Sequence, residues 1–241
     1  MQVSPATMEK LGRFNMLSMN IFALDNLFRI VSYTGLGVAD VLTVMNGGKP
    51  TPLAQFLSDY YMKITVTRFF NRMFGLPLVI QGLLQSSPKD LASKIMEWSM
   101  VFYYPVEHVW LLSILEPNMI PINSPLWSMW SLRAFAVYCV ASVYRTFKAS
   151  ADLLKQINET KDAKMESGEQ KAKVAELEKE RFLTNLTASA AVGDLILALQ
   201  YSRAEPIVHD RVITLVGIWG GIAPFLVKWI RAAPAPEKKE A

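Results

Sequence analysis

Cysteine, histidine and charge are all scarce in this sequence, and each scarcity removes a class of function. The single cysteine, Cys139, lies among apolar neighbours, so neither a disulfide framework nor a cysteine metal cluster is available. The histidines, His108 and His209, are about a hundred residues apart. A catalytic zinc takes three protein ligands, and no H-E-x-x-H or C-x-x-C spacing occurs. A G-x-S-x-G elbow and a phosphate-binding G-x-x-x-x-G-K-[ST] loop are also missing. Gly35-Leu36-Gly37 opens a G-x-G, but Asp40 stands where the third glycine belongs. No catalytic residue, metal or cofactor is expected.

Charged residues make up 19% of the chain, against about 25% in soluble domains. The hydrophobic share is 51%, the mean hydropathy +0.22 and the net charge +4. That excess is too small to argue for nucleic acid. In an apolar protein it suits an anionic bilayer surface. The first residues, "MQVSPATMEK", lack the basic and apolar blocks of a secretory signal. Asn158-Glu159-Thr160 and Asn185-Leu186-Thr187 are therefore expected to stay unglycosylated.

Apolar alternation of period two is absent, and the pattern reads as almost entirely helical. A first helix is expected over about Phe14 to Tyr33, stopped by "TGLG" at Thr34 to Gly37. "NGGKPTP" (Asn46 to Pro52) is a break, followed by a helix from about Leu53 to Phe74. "SSPKD" (Ser86 to Asp90) reads as a turn, and the next helix contains "VFYYPVEHVWLL". "EPNMIPINSP" (Glu116 to Pro125) is a proline-rich loop, and Leu126 to Tyr144 is apolar around Arg133. Lys148 to Arg181 holds eight basic and eight acidic residues and few large apolar ones, as expected of a solvated loop or exposed helix.

Leu183 to Tyr201 is apolar except for Asp194. Val212 to Ile230 is the cleanest transmembrane segment, with Lys228 able to reach the interface through its stem. A second span is expected at Ile95 to Leu115. The basic residues Lys228 and Arg231 and the tail lysines place both termini in the cytosol. The expected organisation is one helical membrane domain over 1–231: an amphipathic half (14–85), a membrane hairpin region (90–144), a polar loop (148–182) and a span region (183–231). A short polar tail follows at 232–241.

Glu107 and His108 are neighbours, so on a helix they point about 100° apart and do not form an acid/base pair. They read as polar residues on an interhelical or headgroup-facing side, or as a pore lining, since intramembrane ionisable groups mark packing partners or solute paths.

Several segments, in order, resemble the peroxin-eleven family of peroxisomal membrane proteins. Asp25, Arg29 and Tyr33 fit its early D-x-x-x-R-x-x-x-Y helix, and "TRFFNRMFGLPL" (Thr67 to Leu78) resembles its arginine-containing helix and turn. "YYPVEHVWLL", with Glu107, His108 and Trp110, resembles a tyrosine, acid-histidine and tryptophan segment. "WSMWSLRAF", ending near Arg133, resembles its W-S-x-R run. "GDLILALQYS", with Asp194, is similar to its D-L-P-L-A-L-x-x-S signature. "VGIWGGIAPFL" resembles its glycine-rich last span. Ile196 stands where the family often has proline, and Pro105 is a second departure. The resemblance implies an all-α protein of the peroxisomal or glycosomal membrane that elongates the organelle before division. Its implied partners are the division machinery and a membrane-protein import receptor. A small-metabolite channel lined by Glu107, His108, Arg133 and Asp194 is the alternative.

Within Tyr60 to Phe74, helical spacing gathers Met62, Val66, Phe69, Phe70, Met73 and Phe74 on one face. Arg68, Arg72, Thr65 and Tyr61 lie opposite, with Lys63 nearer the boundary. The pattern alone fits a buried bundle helix as well as one lying in an anionic bilayer interface. The resemblance favours the interface. Gly217 and Gly221 form a G-x-x-x-G pair that suits either self-association or packing within one chain.

Overall fold

The computed structural model describes residues 4–84, 90–163 and 167–232, and among them there are only helices and their connections. The helices are α1 (Pro5–Ser18), α2 (Ile21–Met45), α3 (Pro52–Arg72), α4 (Gly75–Leu84), α5 (Leu91–Leu115), α6 (Ser124–Asp162), α7 (Ser167–Tyr201) and α8 (Asp210–Arg231).

Local chemistry sets most helix starts. Ser4, Asn20, Thr51, Asp90 and Asn123 each accept a backbone N–H of the first turn, and proline occupies the first turn of α1, α3 and α6. Asp90 accepts from the Ser93 amide at 2.7 Å, a bond that lowers its carboxyl pKa. His209 caps α8 by accepting from the Arg211 amide, which gives the second histidine a structural role.

The first long helix differs from the sequence expectation at both ends. "TGLG" does not stop a helix: α2 begins after Asn20 and continues through Gly35 and Gly37 to Met45. Both glycines are helical, and a Cβ on Gly37 would lie 3.1 Å from Thr214 Cγ2 of α8. The break comes at Gly47 and Gly48, whose φ angles are +68° and +83°. The described part of the charged stretch is helical, forming the end of α6 and the start of α7. The "SSPKD" turn lies, but for Asp90, outside the described residues.

Among the described residues, four helices are long and apolar enough to cross a membrane: α2, α6, α7 and α8. α8 contains the span expected at Val212 to Ile230. α5, expected as the other span, is not one of the four. Lys94, Glu97, Glu107 and His108 lower its apolar character.

The helices pack in a closed circuit, α2–α3–α5–α6–α7–α8 and back to α2, with α4 leaning on α5 and α1 on α2 and α8. α2 and α8 run antiparallel: Phe22 meets Lys228 at one end, and Asp40 bonds Arg211 at 2.9 Å towards the other. α6 and α7 form an antiparallel hairpin in which Ser150 donates to Asn185 at 2.6 Å.

Polar side chains share the interior with apolar ones, and large apolar side chains stand outside. Arg29, Arg68, Glu107, Asn26 and Ser32 are buried, whereas Val41, Phe56, Phe74, Val140, Phe147 and Leu215 are exposed. In water that arrangement would forfeit apolar burial. In a bilayer, lipid covers the apolar exterior and polar groups must find partners inside.

Candidate functional site

The polar interior centres on α2, a long apolar helix that nevertheless carries Asp25, Arg29 and Tyr33 on one face. Asp25 and Arg29 are one helical turn apart, so they present opposite charges along the same stripe. An unpaired charge in this setting would cost several kcal/mol, so each requires a partner from another helix.

α3 supplies the partners of Asp25. Arg68 donates from Nε to Oδ1 at 2.9 Å and from Nη2 to Oδ2 at 3.3 Å, the fork geometry that arginine offers a carboxylate. Arg72, one turn on, lies 3.7 Å from Asp25 Oδ2 and donates to Glu107 Oε1 of α5 at 3.0 Å. Arg72 also donates to the Tyr103 hydroxyl at 2.8 Å, and that hydroxyl donates to Glu107 Oε1. Arg29 pairs with Asp194 of α7 at 2.6 Å and donates from Nε to the Gly217 carbonyl of α8 at 3.0 Å.

Three arginines and three carboxylates therefore balance, and they connect α2, α3, α5, α7 and α8. Two buried atoms of this cluster, Arg29 Nη2 and Glu107 Oε2, have no hydrogen-bond partner.

Glycines make room for the cluster. A Cβ on Gly217 would fall 2.2 Å from the Tyr33 ring, and one on Gly220 would fall 2.2 Å from Arg29 Nη2. A Cβ on Gly221 would meet Ile30 Cγ1 at 2.8 Å and the Asn26 carbonyl at 3.0 Å. Gly217 and Gly221 thus face α2 of the same chain, as the intrachain-packing alternative for this pair requires. Tyr33 and Ile30 occupy the groove beside them.

His108 sits between two backbone carbonyls, with Nδ1 near that of Tyr104 and Nε2 3.1 Å from that of Phe69. Trp110 packs edge-on against Phe69 at 5.2 Å between centroids. Both hold α5 to α3. Arg133 stays outside the cluster, exposed over the Trp130 ring at 5.3 Å. Of the residues grouped in the channel alternative, Glu107 and Asp194 join the ion-pair cluster, His108 lies between backbone carbonyls and Arg133 is exposed outside it.

α3 departs most from its expected role. Arg68 and Arg72, placed on a headgroup-facing side by their spacing, turn inward to Asp25 and Glu107. Val66 and Phe69 are half-buried, whereas Met62, Lys63, Phe70, Met73 and Phe74 are exposed. The arginine face is the packed one because two buried carboxylates require it. One sequence signal could have indicated this: Asp25 and Glu107 stand in apolar stretches and require cationic partners from elsewhere in the chain. Tyr103 gave no such signal.

The peroxisomal biogenesis factor 11 (PEX11) family matches residues 21–227 of the chain. No curated protein and no solved structure matches it.

Proposed function

The chain belongs to the peroxisomal biogenesis factor 11 family, which makes it a peroxisomal membrane protein of organelle proliferation, and we propose that it acts by bending the membrane. The observation that carries this reading is the inverted face of α3. Its arginines are tied to the bundle, while Phe56, Met62, Phe70, Met73 and Phe74 stand exposed around Lys63. α3 is not among the four helices apolar enough to span. A helix of this kind, held beside spanning helices, adds bulky side chains to the interfacial part of one leaflet, expands it and favours curvature.

The antiparallel packing supports a topology in which both termini and the α6–α7 tip share one side. Lys10, Arg13, Lys148, Lys155, Lys228 and Arg231 lie towards that side, which the positive-inside tendency assigns to the cytosol.

The test uses the full-length protein reconstituted in liposomes containing anionic lipid. Phe70→Glu combined with Met73→Glu and Phe74→Glu changes exposed side chains and leaves the ion pairs intact. The expected result is normal insertion with loss of tubulation in vitro and round, unelongated peroxisomes in cells. Full tubulation by the triple variant would overturn the reading.

A further inference from the structure

We propose a binding site for the headgroup of an anionic phospholipid where α1 crosses the end of α8, formed by Arg13 and Lys228 on aromatic seats. This rests on reading α8 as a spanning helix, and it does not depend on α3. Lys228, in the last turn of α8, is half-buried and sits 5.7 Å over the Phe22 ring at the start of α2. It has no ion-pair partner among the described residues. Arg13 of α1 lies 5.0 Å over the ring of Trp229, the residue after Lys228. Its Nη2 is bound to Glu9 at 2.7 Å, while its buried Nε has no hydrogen-bond partner. Arg231 nearby is already committed to Glu180 at 2.9 Å.

α1, the start of α2 and the end of α8 thus place two cations at one corner: Lys228 against a ring with no carboxylate, and Arg13 against a ring and paired with Glu9. An aromatic face holds a cation without neutralising it. Seating therefore leaves the Lys228 N–H donors available and its positive charge unpaired. The corner lies at the end of an apolar helix, among Trp229, Lys228 and Arg231, where aromatic and basic residues mark the membrane interface. The group that meets them at this depth is the phosphate of a lipid. A diacyl lipid with net negative charge, such as phosphatidylinositol, meets the unpaired charge of Lys228 and adds a second anion beside Arg13, whereas the choline of a zwitterionic lipid offsets part of that attraction.

Native mass spectrometry of the full-length protein, given equal phosphatidylinositol and phosphatidylcholine in detergent, reads the preference directly. A basic residue at an anionic surface is worth about a fivefold preference. The wild type should therefore retain phosphatidylinositol preferentially, and Arg13→Gln or Lys228→Gln should each reduce the preference by about fivefold. Lys49→Gln, in the loop at the other end of α2, should leave it unchanged, and Arg13→Lys with Lys228→Arg should largely preserve it. Excess inorganic phosphate should not displace the lipid, because the acyl chains also bind; displacement would identify a soluble-anion site and overturn the lipid assignment. Equal retention of the two lipids by the wild type, or equal sensitivity to Lys49→Gln, would overturn the site, with tubulation by α3 unaffected. The wild-type comparison decides the matter even if a glutamine variant fails to fold.

Discussion

Arg29 of α2 and Asp194 of α7 meet at 2.6 Å in the interior, and this pair fixes the level at which the two helices face each other. The Gly217 carbonyl accepts from the arginine's Nε and brings in α8. The contact is costly to break from one side, since the surviving charge would remain in a setting that cannot solvate it.

Arg29→Met or Asp194→Leu alone should therefore destabilise the protein by about 3 kcal/mol. The double variant should lose clearly less than the sum of the two. Thermal unfolding in detergent, followed by tryptophan fluorescence, provides the comparison. Additive losses would mean that the two residues act independently.

Gly217→Leu should act within the chain. Its side chain would overlap the Tyr33 ring, and overpacking of this kind costs about 1–3 kcal/mol. Tyr33→Ala should restore part of the lost stability by emptying the same space. Loss of self-association without loss of stability, measured by crosslinking of differently tagged copies and by melting, would contradict this packing.

Phe69 and Phe70 should separate folding from membrane shaping. Phe69 packs on Trp110, whereas Phe70 is exposed. Phe69→Glu should cost about 3 kcal/mol by placing a carboxylate against the bundle. Phe70→Glu should shift stability by less than about 0.5 kcal/mol while reducing tubulation. Melting curves and electron microscopy of the liposomes check the two halves of the statement.

Single cysteines in a Cys139→Ala background should report the topology. Asn158→Cys, in the α6–α7 hairpin, should react with an impermeant maleimide in intact organelles. Arg203→Cys, in the connection between α7 and α8, should react only after permeabilisation. The reverse pattern would invert the orientation.

Much of this fold was legible because proline, glycine and capping residues act locally. The break at Gly47–Gly48, the loop after Glu116 and the span in α8 all follow from nearest-neighbour chemistry. Gly35 and Gly37 misled because a glycine that permits a turn also permits close helix packing. Only the presence of Thr214 on a distant helix distinguishes the two. The charged residues raised the same difficulty. Arg68 and Arg72 look solvent-seeking by composition, and their partners Asp25 and Glu107 lie on helices that only the tertiary fold brings together. Asp25, Arg29, Arg68, Arg72, Glu107 and Asp194 were individually visible, but their neutrality as a group belongs to the fold.

The lengths of α6 and α7 have a mechanical consequence. At about 1.5 Å per residue, helices of 39 and 35 residues reach about 50–60 Å, against a hydrocarbon core of about 30 Å. Their charged ends form a stiff post some 20 Å tall, whose two legs are pinned at Ser150–Asn185 and Lys161–Glu178. On the proposed topology, any flat surface approaching the organelle meets the posts before it meets the lipid, so a dense population sets a minimum standoff of about 2 nm. Posts crowded on one side of a sheet also collide more when that side is concave. On the proposed topology, the same feature favours outward curvature wherever copies accumulate.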